Sequence, residues 1–297
     1  MPYSALIRFR NLEDKERFGE PQIQHAEELH LLLANQALFA VILNGSGPCD
    51  ITRRTDIWDQ VAELLSVLQA KSVPIIKCVG LNYIKHILTL FTIQEGGRKP
   101  LPYPSMFVKP SASVAGFNED ILVPKLAQEN QLDDGGELSF VIGKNCKDVS
   151  KDNARNYIAG YMTSNDVSAR TWQRDPAYAG VVPEWCFSKG FDKFALLGPL
   201  LVSPKAVGDA SNLRLQTWVN DEFRQDTETN DLLFEVKDIF SFLSQGTTLE
   251  KGTVVMTGTP AGVAMGMTEP IYLRDGDIVK VRIDRLGSVE NRMVFQH

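Results

Sequence analysis

The segments ELSFVIGK (137–144) and IAGYMTSNDVS (158–168) decide the class of fold. Each is short, rich in β-branched and aromatic residues, and bounded by turn-forming residues, so each reads as a strand. The same texture recurs in IIKCVGLNY (75–83), SMFVKP (105–110), LRLQTWVN (213–220), TVVMTG (253–258) and DIVKVRID (277–284). Asn220-Asp221 falls between two strand-like runs and suggests a hairpin turn. Helical signals after Pro74 are sparse. DIFSFLSQ (238–245) predicts a helix closed by Gly246, and SKDNARNYI predicts a shorter one starting near Ser150. Strands therefore do not alternate with helices, which argues against a doubly wound parallel sheet. The reading is an α+β chain, mainly β, with its body closed into a mixed β roll or barrel.

Upstream of Pro74 the pattern differs. SALIRFR (4–10) and ALFAVILNG (37–45) read as strands. In TDIWDQVAELLSVLQA (55–70), Ile57, Val61, Leu64, Leu65 and Leu68 fall on one stripe of helical period behind Thr55 as N-cap, predicting an amphipathic helix. The expected organisation is a small N-terminal α/β domain over residues 1–72 and a β-roll domain over 73–297.

Composition narrows the class of function. The chain has 297 residues, 43% of them hydrophobic and 23% charged, enough for a sizeable core without disulfides or metal staples. Against 31 Lys and Arg stand 37 Asp and Glu, a net charge of −6, which disfavours nucleic acid and anionic membrane surfaces as partners. Cys49, Cys78, Cys146 and Cys186 stand singly, with no zinc-ligand spacing or disulfide framework. The opening residues lack a signal-peptide apolar core, and FALLGPLLV (194–202) is too short to span a bilayer. A cytoplasmic protein is expected.

Polar residues inside these strand and turn contexts are the candidates for chemistry. Glu137 opens one strand and Asp166 closes another. Each alone is compatible with a cap or turn; together they offer hard oxygen ligands for Mg²⁺, Mn²⁺ or Ca²⁺. His86 follows the turn Gly80–Tyr83 and is either structural or a general base. Lys189, between aromatics and Gly190, is either a solvated turn residue or a cation for a developing enolate. Thr257-Gly258-Thr259-Pro260 ends a strand as a plain turn or as a cradle of N–H and hydroxyl groups.

CVGLNYIKH (78–86), SMFVKPSAS (105–113), ELSFVIGK (137–144), GYMTSNDVSARTWQ (160–173), FSKGFDKFALLGPLLV (187–202), WVNDEFRQ (218–225) and VMTGTPAGV (255–263) occur in this order. From about Ile75 to the C-terminus the chain resembles the fumarylacetoacetate hydrolase family. The resemblance implies a mixed β roll, usually in a homodimer. It also implies a divalent metal ion held by three carboxylates, and action on oxo-acids or diketones through an enolate: decarboxylation, tautomerisation or C–C bond hydrolysis. Carried over residue by residue, it implies His86, Lys189 and Gln173 as catalytic residues. It implies Tyr83, Lys109, Arg170, Thr257, Gly258 and Thr259 as substrate-binding residues, and Glu137 and Asp166 as metal ligands. The alternative is a catalytically degenerate or metal-independent descendant that binds a small carboxylate or polyketide-like ligand.

Two departures stand out. The family's first two metal ligands usually read Glu-x-Glu on one face of a strand; here the sequence is Gly135-Gly136-Glu137. Asp133 and Asp134 lie just upstream, and neither reaches the missing position without a bulge between the two glycines. The family's His-x-x-Glu reads His86-Ile87-Leu88-Thr89 here, with Glu95 further on. Thr89 cannot supply the charge that strengthens an imidazole base, so enolate chemistry is expected to outrun hydrolysis.

Overall fold

The computed structural model describes residues 1–85 and 101–297. Strands β1 (Ala5–Asn11), β2 (Glu16–Pro21), β3 (Phe39–Gly45) and β4 (Ile51–Leu65) lie in the order β2-β3-β4-β1, with helix α1 (Glu28–Ala34) between β2 and β3. The helix expected over 55–70 does not form; most of that segment is the second half of β4. The cause is a bulge. Along β1 the pairing moves from Arg10↔Glu63 to Asn11↔Val61, leaving Ala62 as an extra residue. Val61 and Leu64 are therefore both buried although three residues apart, a spacing that imitates a helical turn. Ile57, which a helical stripe would bury, is 62% exposed.

The body contributes β5 (Ile76–Gly80), β6 (Ser105–Lys109), β7 (Val114–Ala115), β8 (Ile121–Val123), β9 (Leu132–Asp133), β10 (Gly136–Ile142), β11 (Ile158–Asp166), β12 (Ser168–Ala169), β13 (Ala195–Val202), β14 (Arg214–Val219), β15 (Glu222–Glu228), β16 (Val254–Met256), β17 (Ile278–Ile283) and β18 (Gly287–Phe295). Its helices are α2 (Arg170–Arg174), α3 (Pro176–Ala179), α4 (Cys186–Lys189), α5 (Pro204–Val207) and α6 (Val236–Ser244). β1 pairs with β13, so one sheet runs β2-β3-β4-β1-β13-β11-β10-β16-β5-β6, with β7 also paired to β13. A second sheet runs β15-β14-β17-β18-β8 and shares an apolar core with the first through Leu138, Phe140 and Leu200 on one side and Leu215, Val281 and Val289 on the other.

β10, β11 and β13 are buried at every residue. Leu138, Phe140 and Ile142 pack into one core and Val141 into another on the opposite face. Burial on both faces is why these segments read as near-continuous apolar runs. The predicted hairpin is β14–β15, where Val219 pairs with Glu222 and Asn220 takes a positive φ of 54°. The helix expected at 238–245 is α6, and Gly246 follows it at φ 68°. The segment after Ser150 forms a 3₁₀ helix, Lys151–Tyr157. In so thoroughly apolar a centre, the buried polar residues at one end of β10 and β11 mark the site.

Candidate active site

Antiparallel register pairs Gly136 with Asn165 and Glu137 with Ser164, so the start of β10 lies beside the end of β11. That brings Glu137 and Asp166 together. β16 flanks β10 on its other side and delivers the turn at Thr257–Thr259. α2 and α4 close the opposite side. Glu137, Asp166, Arg170, Gln173, Lys189 and Thr259 line one cavity, together with Val79, Gly80, Leu81, Phe107, Arg174, Trp185 and Met265. A larger cleft of about 900 Å³, between Ser4–Ala5 and Arg282–Arg285, carries none of these groups.

Asp166 is the electrostatic centre. Its Oδ2 lies 2.5 Å from Lys189 Nζ and its Oδ1 2.7 Å from Lys109 Nζ. Burial alone would raise the Asp166 carboxyl, but the two lysines together hold it below its ordinary value. Lys189 Nζ also donates to Ser168 Oγ at 2.6 Å and lies 5.1 Å from the centroid of the Phe107 ring. Burial, with Arg170 and Lys109 nearby, pushes the Lys189 ammonium below its ordinary value against the pull of Asp166. Glu137 has no such partner. Its Oε2 accepts from Gly258 N–H at 2.8 Å, and burial followed by the charge of Asp166 holds its carboxyl well above the carboxylate range. Arg170 is fixed from two sides: Nε donates to Asp133 Oδ2 at 2.7 Å and Nη1 to Gln173 Oε1 at 2.8 Å. Asp133 also accepts from Ala264 N–H and Met265 N–H, so its carboxylate is fully engaged as an orienting group.

The remaining expected site residues that the structure describes lie behind this wall. Lys109 is fully buried and donates to the carbonyls of Val167, Lys189 and Phe194 as well as meeting Asp166, which makes it a clamp beneath the cavity rather than part of its lining. Thr257 Oγ1 donates to Leu138 O, turning its hydroxyl into the sheet. Gly258 sits at φ 103° with Asn82 Cβ and Val79 O both 3.0 Å from where a Cβ would stand, so only glycine allows the turn that delivers its N–H to Glu137. Tyr83 is fully buried and its hydroxyl has no hydrogen-bond partner among the described residues. His86, Thr89 and Glu95 lie outside the described residues.

Two contributors escape sequence reading. The six-membered ring of Trp185 lies against Gly80, where any Cβ would overlap it, and meets Phe107 edge-on at 5.4 Å between centroids. Together they form the apolar wall beside Lys189. Ser168 becomes a Lys189 partner through the pairing of β12 with β9. Trp185, just ahead of FSKGFD, carried a usable signal in its placement; the Ser168 hydroxyl carried none.

The expected metal site can be tested on its donors. Gly135 does face the cavity end: a Cβ there would lie 3.2 Å from Asp166 O and 3.5 Å from Thr259 Oγ1. It brings no carboxylate. Both oxygens of Asp166 already face ammonium groups. Asp133 and Asp166 already face Arg170, Lys109 and Lys189 in ion pairs. Among the described residues no three carboxylate, His or Cys side chains converge as a metal-binding group. A small dication that prefers several anionic oxygens finds one free carboxylate oxygen, on Glu137, and two positive neighbours. These residues do not fit a resident divalent ion.

Comparison with known proteins agrees with the layout of the body. Residues 75–294 match the family described as fumarylacetoacetate (FAA) hydrolase C-terminal. A mitochondrial oxaloacetate tautomerase of Xenopus laevis is 36% identical over 73% of this chain, the match spanning 64% of that relative's length. A fumarylacetoacetate hydrolase domain-containing protein 2 homolog of Dictyostelium discoideum is 30% identical over 91% of this chain and 93% of its own. The crystal structure of a 2-hydroxyhepta-2,4-diene-1,7-dioate isomerase from Mycobacterium marinum superposes over 99% of both chains with a TM-score of 0.76 at 29% identity. With the family match covering most of the chain, and the site assembled from the very segments that carry it, this protein belongs to the fumarylacetoacetate hydrolase family.

Proposed function

We propose that this chain is a tautomerase of a small 2-oxo acid, interconverting its keto and enol forms through an enolate. The observation that carries the reading is the juxtaposition of Lys189 and Glu137 in one cavity. One is a buried ammonium held by Asp166 and Ser168; the other is a buried carboxyl with no ion-pair partner among the described residues. A tautomerase needs a cation where oxygen gains charge and a proton acceptor where carbon loses a proton. The relatives named as an oxaloacetate tautomerase and a dioate isomerase support the same class of reaction.

The roles follow from the free valences. Lys189 has three N–H donors and uses two, on Asp166 and Ser168, leaving one for the 2-oxo oxygen. Arg170 keeps guanidinium N–H groups beyond those on Asp133 and Gln173, and these suit the substrate carboxylate. Gln173 turns Oε1 to Arg170, which leaves its amide N–H groups as donors. In its ionised form Glu137 takes the proton from the carbon next to the carbonyl through Oε1, and the C–H electron pair moves into the enolate. The enolate oxygen takes a proton from solvent to give the enol, and Glu137 returns its own proton to solvent. Trp185 and Phe107 keep water from the ammonium, which strengthens its pull on the developing charge. Members of the family generally use a divalent metal ion; the Mg²⁺, Mn²⁺ or Ca²⁺ expected at Glu137 and Asp166 has no part in this reading.

Hydrogen–deuterium exchange at the carbon of a 2-oxo acid, followed by proton NMR in D₂O with oxaloacetate as the first substrate, tests the proposal. Catalysed exchange that falls about 10²- to 10³-fold in Lys189→Met is expected, the size typical of losing one preorganised donor to an oxyanion. No catalysed exchange across a panel of 2-oxo acids, or an unchanged rate in Lys189→Met, overturns it.

A further inference from the structure

The misfit of this site to a divalent ion is a property of the chain's own side chains. Position 135, where the family resemblance leads one to expect a carboxylate, is a glycine whose missing Cβ points between Asp166 O and Thr259 Oγ1. Neither neighbouring aspartate replaces it. Asp133 is occupied by Arg170 and by the N–H groups of Ala264 and Met265. Asp134 is not part of the cavity lining. Its charged neighbours are Asp133, Arg224 and Arg170, and Arg224 lies on β15 beneath the start of β10. On that same underside, Gly136 abuts Thr217 and Gln225 of the β14–β15 hairpin.

What the site has instead is a cation already in place. Lys189 Nζ is anchored by Asp166 Oδ2 and Ser168 Oγ and lies beside the Phe107 ring. Its position is fixed further by Lys109, which bonds the Lys189 carbonyl at 2.6 Å while meeting the other oxygen of Asp166. The ammonium is thus held in one carboxylate-centred clamp at the cavity wall, with one donor not used by Asp166 or Ser168. With the carboxylate at 135 gone, the two aspartates of the site, Asp133 and Asp166, already face three cations of the chain itself, Arg170, Lys109 and Lys189.

We propose that this chain works without a divalent metal ion, the Lys189 ammonium in its Lys109–Asp166–Lys189 clamp standing as the electrophile at the substrate oxygen. The inference rests on the tautomerase reading for its substrate, but its prediction about ions does not. Enolisation needs no redox partner. The proton leaves carbon for Glu137, the electron pair moves onto the carbonyl oxygen, and a fixed positive charge beside that oxygen stabilises it in the way a Lewis acid would.

The test uses the full-length protein and Mn²⁺ as the probe. Elemental analysis of the purified protein is expected to give far less than one divalent ion per chain. Electron paramagnetic resonance titration is expected to show no site-bound Mn²⁺ at concentrations that saturate Gly135→Glu, whose added carboxylate completes a three-carboxylate set and tightens binding at least tenfold. Deuterium exchange into the 2-oxo acid is expected to stay within twofold on adding EDTA or Mg²⁺. A stoichiometric metal ion in the purified protein, Mn²⁺ binding by the unaltered chain that Glu137→Gln removes, or loss of exchange with EDTA overturns the inference. Should Gly135→Glu not fold, the metal content and Mn²⁺ titration of the unaltered chain decide the matter alone. A chain that binds no metal and catalyses no exchange leaves the ion prediction standing and removes the tautomerase reading, so the two fail separately.

Discussion

Replacing Asp134 by Asn should make stability less sensitive to pH. Asp134 is 1% exposed and neither carboxyl oxygen has a hydrogen-bond partner among the described residues. Burial, then the neighbouring charge of Asp133, pushes its carboxyl from 3.8 up to about 7, with Arg224 pulling the other way. The folded value lies above the unfolded one. Between these two values the native state therefore holds a proton that the unfolded chain has released, and stability falls as pH rises through that window. At about 1.4 kcal/mol per pH unit, the step from pH 5 to pH 7 removes about 2–3 kcal/mol, and the loss is complete about one unit above pH 7. Asn does not titrate, and its own unmet hydrogen bonds cost the same at every pH. At about 2.1 cal/mol/K per residue, unfolding 297 residues carries an entropy of about 0.6 kcal/mol/K, so the difference amounts to about 4 °C in Tm. Urea and thermal unfolding of both proteins at pH 5 and pH 8 measure it. The gap in stability, variant minus parent, should grow by about 2–3 kcal/mol between the two conditions. Deuterium exchange into the 2-oxo acid should be unaffected, because Asp134 lies outside the cavity lining. Parallel pH–stability curves for the two proteins would refute the reasoning.

Three further outcomes follow from the same contacts. Lys109→Met should cost about 3–5 kcal/mol in urea unfolding, because it leaves Asp166 short of one cation and takes the ammonium donor from the carbonyls of Val167, Lys189 and Phe194, of which that of Phe194 keeps Val167 N–H; a loss below 1 kcal/mol would contradict the clamp. Arg170→Lys should lower kcat/KM by about tenfold or more, since one ammonium cannot hold Asp133 and Gln173 in a planar fork and still meet a carboxylate; steady-state kinetics with the 2-oxo acid checks it, and unchanged kinetics would remove Arg170 from the substrate. Gly80→Ala should drive the Trp185 ring out of its place, costing about 1–3 kcal/mol of stability and raising KM, with Trp185 fluorescence reporting the shift; an unaltered emission maximum together with unaltered KM would show that the ring is not a wall of the cavity.

The parts of this fold that could be read in the sequence are those whose environment is uniform along the segment. β10, β11 and β13 are buried on both faces, so their residues are apolar nearly without interruption, and the carboxylates at their ends stand out. The parts that could not be read depend on an exception to a period or on a distant partner. The single extra residue at Ala62 turned the alternation of β4 into a helix-like stripe, and α1 lay in a leucine-rich stretch that carries too few residues to show a period. Glu137, Asp166, Arg170, Gln173, Lys189 and Thr259 were readable through their motifs and do meet in one cavity. Lys109 was readable as a site residue but not as a clamp, because its four oxygen partners come from β11, the segment after it, the end of α4 and the approach to β13. Asp133, weighed as a stand-in ligand, proves to orient Arg170 because the β9–β12 pairing sets it opposite Ser168, two residues ahead of that arginine.

The unlike roles of the two lysines on Asp166 follow from where each side chain starts. Lys109 comes from the end of a sheet strand, is fully buried, and meets only oxygens of the protein, so its positive charge is used up in holding segments together. Lys189 comes from the end of a short helix on the cavity side, whose preceding turn is held by Glu184 accepting from Phe187 N–H and Ser188 N–H, and it keeps one donor for whatever enters. One carboxylate thus fixes both, and through the Lys189 carbonyl the fully buried lysine also sets the position of the one that lines the cavity. A site built this way has its cation before any ligand arrives. Loss of the carboxylate at position 135 then removes a charge that the two lysines do not need, whereas loss of Asp166 would leave two buried ammonium groups facing each other without their shared anion. Asp166, rather than Glu137, is on this account the residue whose replacement should cost the protein both its stability and its chemistry.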